Sequence, residues 1–229
     1  MKGVGAGPHQ GLIDCRLCPR LVEWRELKAS TEKRAAFSDE DYWGRPVPSR
    51  GSLDAPGLIV GLAPAAHGAN RTGRMFSGDR SGQWLFGALH KVGLATSPIH
   101  DDPDLELVKV RITAVCHCPP PDNRPTAQEV ATCVDTWLIP EIEAVSPRVV
   151  VCLGGLAWNT VLRLGAASLG WEVPRPRPRF GHLSEVEPGR GPVVIGSYHP
   201  SQQNTFTGKL TETMFDRVWV RVAELVTTG

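Results

Sequence analysis

"GLIVGLAP", residues 57–64, is an unbroken apolar run closed by proline. It is too short for a buried helix, so it reads as a strand covered on both faces. Three further runs read as strands: "VKVRITAVC" (108–116), a second buried one, "RVVVCLG" (148–154), and "VVIGSYH" (193–199). Helical patterns separate them. "SGQWLFGALHKVGL" (81–94) puts Trp84, Leu85, Ala88, Leu89 and Val92 on one side, and a helix opening at "TAQE" runs through Cys133 towards Ile142. There Thr126 can cap while Glu129 reaches back, a capping box. "LAWNTVLRLG" follows the third strand, and a final helix carries Met214, Phe215, Val218, Trp219 and Val222 on one side. Residues 14–35 carry a helical, charge-rich pattern, whereas "RPRPRFG" (175–181) is a loop by composition. Strands alternating with helices predict an α/β domain, a parallel sheet with helices on both faces. Ligands of such sheets sit beyond the carboxyl ends of the strands, so the loops after the four runs matter most.

The chain has 229 residues, enough for one domain with a substantial core. We take 1–229 as a single domain, with residues 1–13 a flexible N-terminus. Twenty-four glycines and 20 prolines imply long, shaped loops between short elements. A net charge of +1 neither demands nor excludes nucleic acid, because a local basic groove can exist on a neutral molecule. No segment approaches the roughly 18–20 apolar residues that span a bilayer. The N-terminus has no apolar core of a secretory signal. Six cysteines in such a chain point to free thiols or metal ligands rather than disulfides, and a cytoplasmic protein is expected.

Cys15 and Cys18 form a C-x-x-C unit able to grip one metal or cluster, and a soft thiolate site wants four ligands. Cys152, inside "VVVCLG", reads as core filling. Cys116 and Cys118 share a strand face, so alternation does not separate them. Proline does. Cys18 precedes Pro19 and Cys118 precedes Pro119, a Cys-Pro step that occurs in ferredoxin-type ligand runs and bends the chain away after the ligand. The predicted ligands are therefore Cys15, Cys18, Cys118 and Cys133. Their spacing is not that of a zinc ribbon, which leans to iron–sulfur while leaving zinc open.

"GLAPAAHGANRTGRMFSGD" (61–79) follows the first strand and ends on Asp79; it lacks the G-x-x-x-x-G-K-[ST] of a phosphate loop. Asn123 follows the second strand in a stiff proline loop, and His199 follows the last. A single histidine is more often structural, but these three polar residues all fall just past strand ends. Together with "CRLCPRL", "GLAPAAHGANRTGRMFSGDRSG", "CPPPDNRPT" and "YHPSQQNTFTGKLT", in that order, the chain resembles the family 5 (type b) uracil-DNA glycosylases.

The resemblance implies a central four-stranded parallel sheet flanked by helices, a [4Fe-4S] cluster as staple, and excision of bases from DNA. It implies Asp79, Asn123 and His199 as catalytic residues. Asp79 would stabilise an oxocarbenium-like sugar or deprotonate water, Asn123 would orient water or contact the sugar, and His199 would donate to the departing base. Gly61, Ala63, Phe76 and Ala114 would form the base pocket, with Phe76 stacking on the extruded base. Ser201, Gln202, Gln203 and Asn204 would contact the strands around a minor-groove wedge, and Arg71, Arg74 and Arg124 would meet phosphates. Family 4 relatives carry acids in a G-E-A-P-G-E pattern and an Asn on the second strand. Here Leu62, Ala66 and Ala114 stand in those places, which implies a broad range including hypoxanthine and xanthine. The expected partner is double-stranded DNA containing deaminated bases, with single-stranded DNA as a second form, and the expected state is a monomer. A nucleoside N-ribosyl hydrolase would need neither wedge nor arginines. A zinc- or cluster-stapled nucleic-acid-binding module would leave Asp79, Asn123 and His199 incidental.

Overall fold

A computed structural model describes residues 8–227. Among these the strands are β1 Gly57–Gly61, β2 Val110–Ala114, β3 Val149–Leu153, β4 Glu185–Val186 and β5 Val193–Ser197, in the spatial order β2-β1-β3-β5-β4. β1, β2, β3 and β5 are parallel, as the four apolar runs predict. The two-residue β4, antiparallel to β5, is an addition to the expected four. It is too short to leave a periodic signal. The helices are α1 Pro19–Ser30, α2 Ala69–Thr72, α3 Arg80–Lys91, α4 Ala127–Cys133, α5 Ile139–Val145, α6 Gly155–Ala167, α7 Gln202–Phe206 and α8 Glu212–Thr227. A π-helical turn, Val134–Leu138, joins α4 to α5 just before Pro140, whose missing N–H favours such a break in register. The predicted capping box at Thr126 and Glu129 opens α4. No described helix is long and apolar enough to cross a membrane.

Strand side chains alternate between two cores. Ile59, Val149, Val151 and Ile195 pack with Leu85, Phe86 and Leu89 of α3 and Phe215, Val218 and Trp219 of α8. Leu58, Val60, Val150, Cys152 and Val194 pack with Val130, Leu138 and Ile142 of the α4–α5 rod and Trp158 and Val161 of α6. Both faces are covered, so these strands read as continuous apolar runs rather than as alternation. β2 is the exception that explains its own sequence. Arg111 and Thr113 are buried on the α5 side, where Glu141, itself 0% exposed, accepts from Arg111 Nε at 2.7 Å and Thr113 Oγ1 at 2.5 Å. Burial opposes the Glu141 charge, but its donors and neighbouring histidines win and hold its carboxyl down to about 2.

Two expectations for the N-terminus change. Residues 1–7 lie outside the described part, but from Pro8 onward the chain is packed: Leu12 is 1% exposed, and His9 Nε2 sits 3.1 Å from Glu141 Oε2. Residues 8–13 are thus anchored, not free. The helix expected over 14–35 starts only at Pro19, so Cys15 and Cys18 precede it. Pro19 suits a first helical turn, where no intrahelical bond needs its N–H.

Candidate active site

The order β2-β1-β3 reverses direction between β1 and β3, and a doubly wound sheet opens a crevice at that point. A cavity of about 330 Å³ lies there. Gly61, Leu62 and Ala63 from the end of β1, Ala114 from the end of β2, and Phe76, Asp79, Asn123 and His199 from the following loops all line it. Three loops far apart in sequence thus bring the predicted catalytic and pocket residues to one place.

Asp79 is the N-cap of α3, its Oδ1 accepting from Gly82 N at 3.1 Å. Burial lifts its carboxyl above the ordinary aspartate value, against the opposing backbone hydrogen bonds of Gly82 and Ser81. Two glycines make this geometry possible. A Cβ at Gly68 would meet Asp79 Oδ2 at 2.7 Å, and one at Gly82 would lie 2.0 Å from the carbonyl oxygen of Phe76. Phe76 takes the left-handed φ of 55°, which costs a bulky residue strain and is held by its surroundings. Its ring stacks on His199, with centroids 5.9 Å apart and planes 28° apart.

His199 follows β5. Its ring is set deep among protein atoms although one edge reaches the cavity, and that burial lowers its pKa to about 4. The imidazole is therefore neutral near pH 7. Among the described residues its ring nitrogens have no hydrogen-bond partner, so an N–H can face a ligand. Asn204 Nδ2 donates to the His199 carbonyl oxygen at 2.8 Å. Asn123 stands exposed at the mouth of the cavity, with φ 55° after Pro121 and Asp122.

The remaining predicted nucleic-acid contacts divide. "SQQNTF" is a short helix capped by Ser201, with Gln202 and Gln203 exposed along a broad cleft that continues from the cavity. Arg124 is exposed, and its guanidinium has no partner among the described residues. Asn204 and Arg71 have partners within the fold. Asn204 is turned inward to hold the His199 loop. Arg71 is spent within the fold: it pairs with Glu40, donates to the His67 carbonyl at 3.1 Å and lies over the Phe37 ring at 4.0 Å. Arg74 is partly committed as well, to the carbonyl oxygens of Asp101 at 3.2 Å and Asp102 at 3.4 Å. The cations that do line the cleft, Lys28, Arg34 and Arg80, escaped the sequence reading. Arg80 directly follows Asp79, and that adjacency was the available signal.

The four predicted ligand thiols also converge. Cys15, Cys18, Cys118 and Cys133 line one small, enclosed cavity, together with Leu12, Arg25 and Trp137. Cys116 is 0% exposed at the edge of the core, its thiol hydrogen-bonded to that of Cys133 beside the four, and Cys152 is core filling as predicted. Burial pushes the Cys18 thiol up to about 11, with Cys133, Glu129 and Cys15 adding to the rise. Burial likewise pushes Cys118 up to about 12, while Arg25 pulls it down. Nearby, ligand atoms of His9, His117 and Glu141 lie within 4.8 Å of one another. The Glu141 carboxylate there is already neutralised by Arg111, so a divalent ion would leave uncompensated positive charge in the interior. This trio is an anchor for the N-terminal segment.

Comparison with known proteins gives the family. The family model for the uracil DNA glycosylase superfamily matches residues 48–223. A type-5 uracil-DNA glycosylase of Mycobacterium bovis is 53% identical over 215 residues, covering 92% of this chain and 78% of that protein. One from Thermus thermophilus is 42% identical over 223 residues, covering 94% of this chain and 95% of its own length. A type-4 enzyme of Archaeoglobus fulgidus is more distant, 33% identical over 68% of this chain. With the cavity at the strand ends and these relatives along nearly its whole length, the chain belongs to the uracil-DNA glycosylase superfamily, in its type-5 branch.

Proposed function

We propose that the chain is a monofunctional DNA glycosylase that hydrolyses the N-glycosidic bond of uracil flipped out of DNA, and of hypoxanthine and xanthine. The observation carrying this reading is the meeting of Asp79, Asn123, His199 and Phe76 around one cavity at the strand ends. Cleavage sends the bonding electron pair to the departing base and leaves positive charge on the sugar. The Asp79 carboxylate faces that cation and the water that attacks the anomeric carbon. Asn123, at the mouth, orients the same water. A neutral His199 donates an N–H to a base carbonyl as negative charge grows there, without having to lose a proton first. The base stacks on Phe76. Leu62 and Ala114 offer the base no side-chain hydrogen bond, and a pocket poor in specific donors rejects analogues weakly. Single-turnover excision from oligonucleotides bearing uracil, hypoxanthine or xanthine tests this. Activity on uracil alone would refute the broad range, and activity on free nucleosides but not DNA would favour the ribosyl hydrolase.

Gln202, Gln203, Arg34, Arg80 and Arg124 are proposed to hold the DNA, which the protein binds as a monomer in the cytoplasm. Cys15, Cys18, Cys118 and Cys133 are proposed as ligands of a [4Fe-4S] cluster, whose chemistry here is a covalent staple between the N-terminal segment, the loop after β2 and α4. The donor set fits: four thiols and one buried cation in a cavity whose other lining residues are apolar apart from His117 and Thr132. Among the described residues no three of these sulfurs lie within 4.8 Å of one another. A single tetrahedral zinc would need sulfurs about 3.8 Å apart. Iron and sulfide analysis of the purified protein decides between cluster and zinc.

A further inference from the structure

Arg25 lies on α1 and its side chain is 2% exposed, yet among the described residues no carboxylate is within hydrogen-bond distance of it. The nearest, Glu26, is 3.8 Å away and already held by Arg16. Its Nη1 donates to Cys118 Sγ at 3.0 Å and its Nη2 to the carbonyl oxygen of Cys15 at 3.1 Å. Its Nε is buried without a partner among the described residues. A buried guanidinium so placed is short of negative charge, and unpaired buried charge is costly. Four thiolates around a cluster would supply that charge, and Arg25 is the cation lining their cavity.

The main chain of Arg25 faces the other way. Its carbonyl oxygen accepts from Asn70 Nδ2 at 3.3 Å, and Asn70 is 0% exposed. Asn70 Nδ2 also reaches the carbonyl oxygen of Ala66 at 3.4 Å, and its backbone N–H donates to that of Ala65 at 3.1 Å. These bonds shape the turn that carries Gly68, where a Cβ would lie 2.7 Å from Asp79 Oδ2.

We propose that Arg25 is the counter-cation of the thiolate cluster, and that Asn70, bonded to the main chain of the same helix at Arg25, is a positioning residue for the loop behind Asp79. The proposal rests on the cluster reading above. A donor and positive charge at a ligand sulfur stabilise the more negative, reduced cluster and hold the ligand in place.

The test compares wild type with Arg25→Met, Arg25→Lys and Asn70→Leu, reading iron content, loss of visible absorbance under an iron chelator, reduction potential and single-turnover excision. Arg25→Met should lose its cluster on the order of 10–100-fold faster and show a more negative potential. Arg25→Lys should recover part of both. Asn70→Leu should keep wild-type iron, lability and potential while excising more slowly. Wild-type potential and lability in Arg25→Met would overturn the counter-cation role. If Arg25→Met does not fold, Arg25→Gln decides by the same readouts: a more negative potential and faster cluster loss support the role, unchanged values overturn it. Unchanged excision in Asn70→Leu would overturn the link to Asp79. Wild type without iron would overturn both this proposal and the cluster reading, whereas an iron-loaded wild type inactive on uracil would fail the glycosylase reading alone.

Discussion

Gly68 and Asp79 are in contact: a methyl group at position 68 would lie 2.7 Å from Oδ2 of the carboxylate and 3.2 Å from its Cβ. The loop after β1 thus forms a wall for the carboxylate that caps α3. Gly68→Ala should push the carboxylate out of line, and a displacement of about 1 Å at a reacting group costs on the order of 10² in rate. Thermal stability should change little, because Asp79 can yield towards the cavity. Single-turnover rates beside melting curves check this, and a near-native rate would show that the carboxylate position is not critical.

Asp79→Asn separates function from stability. Asparagine caps a helix about as well as aspartate, so the start of α3 should survive. The folded pKa of Asp79 is raised, so the fold favours its protonated form. Its contribution to stability is then greatest at acid pH and declines as pH rises through the aspartate range. Removing the charge should leave the melting temperature at pH 7 equal or higher while excision is lost. For the wild type, the acid limb of kcat/KM should lie above the ordinary aspartate value. A variant both inactive and clearly less stable at pH 7 would contradict the assignment.

His199, with a pKa near 4, should stay neutral through the working range. The rate should therefore show no step centred near 6.5. Folding stability has the opposite sign from Asp79: the unfolded histidine binds protons that the folded one refuses. Its contribution is full above about 6.5 and is lost as pH falls towards 4. His199→Ala should slow excision on the order of 10²–10³-fold, the usual loss for one oriented donor to a developing anion. It should also flatten the stability profile between those two pH values.

The arginines should sort by what they already touch. Arg34, Arg80 and Arg124 face the cleft or solvent, so replacing each with alanine should weaken DNA binding and reduce the salt slope by about 1. Arg71→Ala should leave the slope unchanged and lower stability, since its guanidinium bridges Glu40, His67 and Phe37. Titrations of labelled DNA over a range of salt distinguish the two groups.

Much of this was legible in the sequence because sheet and site obey local rules. Four runs such as "GLIVG" and "VVVCL" are buried on both faces, and Thr126 with Glu129 announces the start of α4. Asp79, Asn123 and His199 were found as polar residues just past strand ends. What stayed hidden depends on tertiary contacts with no periodicity. Phe86 faces the same core as Leu85 and Leu89, although the predicted stripe omitted it. Asn204 sits in a run that looks like a wedge, but a hydrogen bond five residues back turns it inward. The charge of Arg71 resembles that of Arg124, and only the fold shows that Arg71 is spent on Glu40. Arg25 looks like one more charge on a charge-rich helix, yet it is buried beside Cys118.

The central claim is that the cavity between β1 and β3 cuts an N-glycosidic bond in DNA. The most direct measurement incubates an end-labelled duplex carrying one uracil with excess protein and splits the products before and after alkali. The account predicts cleavage at the uracil position after alkali alone, marking an abasic site made without strand scission. It predicts that this product fails to form with Asp79→Asn and forms slowly with His199→Ala. No abasic site from the wild-type protein, or undiminished product from Asp79→Asn, would contradict it.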